Sequence, residues 1–189
     1  MKIKRIALFA SGAGTNAQNI IEYFSDVESV EIDSLWSNNT NALALERARS
    51  FNVETFVFNK YEFNNTDKVV GLLTKRGVDI IVLAGFLWLI PPNLIQNFPI
   101  INIHPALLPK YGGKGMYGMN VHKAVVDNKE IESGISIHFV NEKYDEGKLI
   151  FQAKCPVLPS DSPGDVAEKI HQLEYKHFPR VIEKVLQEI

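Results

Sequence analysis

Residues 79–84, Asp79-Ile80-Ile81-Val82-Leu83-Ala84, form a near-continuous apolar run closed by Gly85. The run is too short to span a bilayer and lacks the alternation of a half-solvated strand, so it predicts a strand covered on both faces, as in a parallel sheet. Parallel neighbours need a long crossover, ordinarily a helix, and the rest of the chain has that rhythm. Ile6 to Ala10 reads as a first strand, Ser11 to Thr15 as a glycine loop, and Ile20, Ile21 and Phe24 as one face of a helix. Strands near Ile32 to Trp36 and Val53 to Phe58 are followed by a helix from Ala42 to about Ser50 and, after a polar loop, by one near Asp67 to Lys75. Pro91-Pro92 suits a helix start, with the helix ending near Phe98. A strand from Ile100 to Ile103 precedes a Gly- and Pro-rich loop from Pro105 to Met119, long enough to predict a functional role. A short helix at Val121 to Val126, strands at Gly134 to Val140 and after Gly147, and a terminal helix from about Gly164 to Gln187 complete the chain. The expected architecture is α/β, Rossmann-like and doubly wound, a mostly parallel sheet with an antiparallel addition. No repeat, heptad seam or linker divides it, so one domain over residues 1–189 is expected.

A formal net charge of −2 argues against a generic nucleic-acid or acidic-membrane surface and leaves small anionic molecules as partners. The single cysteine, Cys155, offers no internal disulfide and reads as a small buried hydrophobe in a strand. Met1-Lys2-Ile3-Lys4-Arg5 resembles the charged start of a signal peptide, but the apolar segment Ile6 to Ala10 is too short to complete one. A cytoplasmic protein without membrane or nucleic-acid partners is expected.

Chemistry concentrates at Asn102-Ile103-His104-Pro105. Side chains two apart on a strand share a face, so the Asn102 carboxamide, a donor, stands beside the His104 imidazole, a proton carrier. Pro105 biases His104 toward extended backbone. The carboxyl end of a buried strand is where open α/β sheets bind ligands, and an oxyanion donor beside a proton carrier suits attack on a carbonyl. Tyr144-Asp145-Glu146-Gly147 reads either as an ordinary acidic turn or as the source of a carboxylate, Asp145, that hydrogen-bonds His104, raises its pKa and aims it. His122 and His138 have no partner at metal-ligand spacing, so no metal site is expected. No Gly-x-Ser-x-Gly elbow is present.

The first loop, Gly12-x-Gly14-x-x-Ala17, fits a dinucleotide fingerprint as well as a plain phosphate cradle on a helix N-terminus, to which Thr15 and Asn16 could add donors. A dinucleotide site also wants an acidic residue at the end of the second strand. Glu31 and Asp33 fall near the start of that strand, so a phosphate site is preferred, beside the plainer reading of a tight turn.

Three motifs together resemble the folate-dependent formyltransferases. They are Ser11-Gly12-x-Gly14-Thr15-Asn16; Leu83-Ala84-Gly85-Phe86 with Asn102-Ile103-His104-Pro105-x-Leu107-Leu108-Pro109-Lys110; and Gly134-x-Ser136-Ile137-His138-Phe139-Val140 with Asp145-x-Gly147. The resemblance runs nearly end to end. It implies formyl transfer from 10-formyltetrahydrofolate, as cosubstrate, to the amine of phosphoribosylglycinamide in de novo purine (IMP) synthesis, without a metal, by a monomer or weak homodimer. It implies Asn102, protonated His104 and Asp145 as the catalytic trio. The acceptor would be held by Gly12, Ala13, Gly14, Thr15, Asn16 and Pro105, with Glu174 toward the ribose. The folate would lie against Phe86, Leu87, Trp88, Leu89, Ile90, Ile95, Val140, Asn141, Tyr144 and Asp145. The apolar residues among these are equally readable as core packing.

Two features depart from the better-known bacterial pattern. Trp88 stands where many members carry arginine, and no arginine is found around Asn64 and Asn65. The loop Tyr111 to Gly118 is also longer, and Lys110 and Lys114 are candidates for the missing charge, or solvated loop lysines. The rivals are a second enzyme on the same scaffold and a noncatalytic nucleotide- or NAD-binding module. The enzyme rival is above all a hydrolase of formyltetrahydrofolate, disfavoured because it usually carries an added N-terminal domain for which a first strand at about Arg5 leaves no room. Otherwise it is another folate formyltransferase, of which the methionyl-tRNA enzyme is disfavoured by the lack of strong basic charge and of tRNA-binding extensions.

Overall fold

A computed structural model describes residues 2–189. Its seven strands form one sheet in the order β3-β2-β1-β4-β5-β6-β7. The chain divides into two compact units, residues 2–101 with Ile189 and residues 102–188, the division falling inside the fifth strand.

The first unit contains β1 (Lys4–Phe9), α1 (Thr15–Phe24), β2 (Val30–Ser37), α2 (Leu43–Ser50), β3 (Glu54–Val57), α3 (Lys60–Asn65), α4 (Lys68–Arg76), β4 (Ile80–Leu83) and α5 (Pro92–Asn97), then the start of β5 (Ile100–His104). β1 pairs in parallel with β2 and β4, and β2 with β3, as the unbroken apolar runs require. Ile6, Leu8, Phe9, Ile80, Ile81 and Val82 are wholly buried. Phe9 packs against Trp36, Phe58, Phe63 and Phe86, so the strand ends near the glycine loop rest on an aromatic floor.

α3 lies where the sequence suggested only a polar loop. Its N-terminus is a capping box: the Asn59 side chain accepts from the Glu62 N–H, and the Glu62 side chain accepts from the Asn59 N–H. That Asn-x-x-Glu spacing is a helix signal, and burial of Phe63 fixes the short helix to the core. Asp33 is buried within β2 and is bonded by Arg76 Nε at 2.7 Å, which removes it as a ribose ligand.

The second unit continues β5 and adds α6 (Met119–Asp127), β6 (Glu132–Phe139), β7 (Leu149–Pro156) and α7 (Pro163–Glu188). β6 and β7 pair antiparallel, the expected addition to the parallel sheet. Ile135 and Ile137 of β6 are wholly buried, and α7 packs Val166, Ile170, Phe178 and Ile182 inward against α6, β6 and β7. Cys155 is on β7 but only half-buried, not the core residue its type suggested. No described helix is long and apolar enough to cross a membrane.

Candidate active site

In the second unit the structure brings Asn102, His104 and Asp145 together. Asn102 and His104 occupy alternate positions on β5, while Asp145 arrives from the β6–β7 connection. That connection closes tightly: Phe139 N–H donates to the Lys148 carbonyl, and a Cβ on Gly147 would stand 1.6 Å from the Phe139 oxygen. Only glycine fits there, so Gly147 lets the turn close and fixes the height at which Asp145 is presented. Asp145 itself takes a left-handed backbone, φ 57°.

Asp145 Oδ2 lies 3.4 Å from His104 Nδ1 and accepts the Gly113 N–H at 2.9 Å. The other ring nitrogen, His104 Nε2, donates to the Tyr111 carbonyl at 2.7 Å. A carbonyl can only accept, so the contact fixes the tautomer: Nε2 holds the hydrogen, and Nδ1 is the nitrogen that gains or loses a proton opposite Asp145. Burial pulls the His104 pKa below the ordinary imidazole value, and nearby His138 pulls the same way. The Asp145 charge and the Tyr111 carbonyl oppose them without prevailing. Asp145 does act to raise the pKa, as expected, but with His104 only 3% exposed, desolvation outweighs it and the net shift is downward. Asp145 also feels burial, which raises its pKa, but His138, the charge of His104 and the Gly113 N–H hold it below the usual carboxylate range.

His138, dismissed in the sequence as a metal ligand and otherwise quoted only within the third motif, belongs to this cluster. Its Nδ1 donates to the Phe139 carbonyl at 2.8 Å, which leaves Nε2 to accept from Asn102 Nδ2 at 3.2 Å. The Asn102 amide also reaches Asp145 Oδ1, at a long 3.5 Å. Ser136, two residues before His138 on β6, donates to the Ala106 carbonyl and accepts from the Leu108 N–H and Gln152 Nε2. It thereby pins the chain just beyond His104. The available signal was the alternation of β6, which puts Ser136 and His138 on one face as it does Asn102 and His104 on β5.

Pro105, Val140, Asn141 and Tyr144 are half-buried beside these residues in the chain, and Glu174 is buried on α7. Lys110 is bonded to Glu130 at 2.9 Å on the surface, and Lys114 is exposed. Among the described residues no group of three or more His, Cys, Asp or Glu is placed to hold a metal ion.

In the first unit the glycine loop leads into α1. Gly14 is its N-cap at φ 75°, without a side-chain cap, and the first turn carries no acidic residue. A Cβ on Gly14 would lie 2.5 Å from Ala44, while one on Gly12 would meet nothing within 4 Å. Uncapped amides beside exposed Gly12 and Ala13, with Thr15 and Asn16 half-buried, have the character of an anion cradle. The same loop is tied to the segment after β4: Ser11 N–H donates to the Gly85 carbonyl and Ser11 Oγ accepts from the Leu87 N–H. Along that segment Phe86 and Ile90 are buried, Leu87 and Leu89 are 46% and 40% exposed, and Trp88 leans on Phe58, Phe63 and Phe86. Ile95 is half-buried on α5.

A carboxamide donor, a buried imidazole and a carboxylate at the carboxyl end of β5 define the class. The formyl transferase family model matches residues 4–182, and the chain belongs to that family. Among individual relatives, it is 40% identical to the chloroplastic phosphoribosylglycinamide formyltransferase of Arabidopsis thaliana, over 98% of this chain and 66% of the relative. It is 37% identical to the phosphoribosylglycinamide formyltransferase of Haemophilus influenzae, over 95% of this chain and 86% of the relative. The chain thus spans just under two thirds of the plant protein's length but most of the bacterial one. The solved structure of glycinamide ribonucleotide transformylase 1 from Geobacillus kaustophilus superposes with a TM-score of 0.88 at 32% identity, covering 97% of this chain and 99% of that one.

Proposed function

We propose that the chain transfers the formyl group of 10-formyltetrahydrofolate to the amine of phosphoribosylglycinamide, a step of de novo purine (IMP) biosynthesis, and that residues 1–189 act as one functional domain. The observation that carries this reading is the Asn102, His104 and Asp145 cluster in a chain whose family match runs through both compact units.

The formyl folate supplies a one-carbon unit as a carbonyl that an amine can attack. Neutral His104, its Nε2 hydrogen committed to Tyr111, presents the Nδ1 lone pair as the base that takes a proton from the attacking amine. As that proton arrives the ring becomes cationic, and Asp145 at 3.4 Å stabilises it. Asn102 turns an amide hydrogen toward the formyl oxygen as negative charge builds there; its 3.5 Å contact to Asp145 is the weaker of its two bonds and the one given up. His104 then returns the proton to the departing folate nitrogen. The expected protonated imidazole therefore arises during the reaction, since burial keeps the resting ring neutral.

Gly12 to Asn16 bind the acceptor's phosphate through the uncapped amides of α1, with Pro105 and Glu174 along its ribose and glycyl parts. The exposed leucines of Phe86 to Ile90 on their aromatic floor suit the flat, apolar part of a folate, together with Ile95 and the Val140, Asn141 and Tyr144 segment. We assign the protein to the cytoplasm as a monomer or weak homodimer, and without nucleic-acid partners, this last supported by its net charge of −2.

The test is the absorbance change that accompanies release of tetrahydrofolate, with phosphoribosylglycinamide or with water as acceptor. Acceptor-dependent release is expected. Formate release with water alone would replace this reading by the hydrolase, and NAD binding without turnover would replace it by a nucleotide-binding module.

A further inference from the structure

Only four described residues other than glycine have a left-handed backbone: Asn52, Tyr111, Lys129 and Asp145. For a residue with a Cβ this conformation crowds the following carbonyl, so it persists only where the surroundings hold it. Two of the four, Tyr111 and Asp145, are the partners of the two ring nitrogens of His104. A third, Lys129, immediately precedes Glu130, and Glu130 Oε1 accepts the Tyr111 hydroxyl at 2.8 Å. Tyr111 is therefore bonded at both ends, its side chain to Glu130 and its carbonyl to His104.

We propose that Glu130 and Tyr111 form a positioning clamp for His104. The Glu130 carboxylate, set at the exit of α6, holds the Tyr111 hydroxyl and so keeps the Tyr111 carbonyl on His104 Nε2, reserving Nδ1 for proton transfer opposite Asp145. Tyr111 bears no side-chain atom on the reacting groups, so both are positioning residues. The proposal rests on the reading of His104 as the proton carrier. The clamp is anchored outside the catalytic cluster: Glu130 also receives Lys110 Nζ at 2.9 Å, and Tyr111, Glu130, Ser133, Gln152 and Lys154 line one cavity of about 180 Å³ on this side of the loop. The titratable groups that act on His104 are Asp145 and His138, and His104 in turn acts on His122 of α6. The side-chain partners of Glu130 are Lys110 and Tyr111, so the clamp can be perturbed without altering Asp145, His138 or His122.

Tyr111→Phe removes one oxygen and leaves the backbone carbonyl; Glu130→Ala removes the anchor; Glu130→Gln retains an oxygen able to accept the hydroxyl. In the substrate-free protein, two-bond proton–nitrogen correlation spectra of the imidazoles should show wild-type His104 as the Nε2-protonated tautomer. Tyr111→Phe and Glu130→Ala should populate the other tautomer, and Glu130→Gln should restore the first. Misplacing a reacting group can cost up to about a hundredfold, so kcat should fall roughly ten- to a hundredfold in the first two variants, with KM for both substrates unchanged and substantial recovery in Glu130→Gln. The acid limb of kcat/KM should move to lower pH, because a loosened carbonyl supports the imidazolium less. An unchanged tautomer and unchanged kcat in either folded variant overturns the clamp, so failure of one to fold leaves the other to decide. A tautomer that shifts in the variants, in a protein whose wild type formylates no acceptor, would uphold the clamp and remove the functional reading.

Discussion

Ser11 accepts the backbone N–H of Leu87 on its hydroxyl at 3.0 Å, while its own N–H donates to the Gly85 carbonyl. The serine that opens the glycine loop thus fixes the start of the apolar Phe86 to Ile90 segment. A loop assigned to one substrate and a wall assigned to the other are held by a single buried side chain.

Ser11→Ala leaves the Leu87 amide without its partner. Losing one side of a buried hydrogen bond costs about 1–3 kcal/mol, so the urea midpoint should fall. KM should rise for both substrates, more than kcat falls. A KM change confined to one substrate would separate the loop from the wall.

The two glycines of the loop should behave differently. Gly14→Ala places a Cβ 2.5 Å from Ala44 at a positive φ and should lower stability by at least about 2 kcal/mol. Gly12→Ala meets no protein atom within 4 Å, so thermal unfolding should be unchanged. If the loop cradles the acceptor's phosphate, the added methyl group should raise KM for phosphoribosylglycinamide and leave that for the folate alone. Unchanged acceptor KM in Gly12→Ala would remove the cradle.

Loss of one oxyanion donor costs about 3–4 kcal/mol in the barrier, so Asn102→Ala should lower kcat by roughly a hundred- to a thousandfold. In wild type, activity should be lost as pH falls through the depressed His104 pKa, with the acid limb of kcat/KM below the ordinary imidazole value. Asp145→Asn removes the charge that opposes burial, so that limb should move lower still as kcat drops. A limb displaced upward by Asp145→Asn would contradict the assignment of Nδ1.

His122, buried on α6 with an unpartnered Nδ1, has a pKa pushed down to about 4, chiefly by burial and then by His171 and His104. A depressed histidine pKa means that the unfolded chain binds the proton first. The associated stability is complete above the unfolded pKa, about 6.5, and is lost as pH falls from there toward about 4. Urea midpoints measured from pH 7 down to pH 4.5 should decline less steeply in His122→Leu than in wild type. Parallel slopes would show that other groups govern the acid limb of stability.

Much of this was readable in the chain. Uninterrupted apolar runs such as Ile80 to Leu83 mark doubly covered strands, and the alternation in Asn102-Ile103-His104 places two polar groups on one face. α3 was missed because its single buried anchor, Phe63, carries too little periodicity, although the Asn59–Glu62 box marked its start. The Tyr111 contact was hidden for a different reason. Gly112 and Gly113 stand ready in the sequence to take any positive φ, yet Tyr111 takes φ 57° while Gly112 is needed for space, since a Cβ there would meet Leu108 at 2.6 Å. The depressed His104 pKa is likewise a product of tertiary burial, which residue types cannot convey.

Both tryptophans of the chain belong to the aromatic floor of the first unit, Trp36 wholly enclosed and stacked on Phe56 at 4.3 Å, Trp88 half-buried against Phe63. The protein therefore carries its own optical label on one half. Tryptophan emission follows melting of residues 2–101, whereas far-ultraviolet circular dichroism follows both halves, and coincidence of the two curves would establish cooperative unfolding without any engineered probe. Quenching or a wavelength shift from Trp88 alone, with Trp36 as the internal reference, would report occupancy of the Phe86 to Ile90 segment directly.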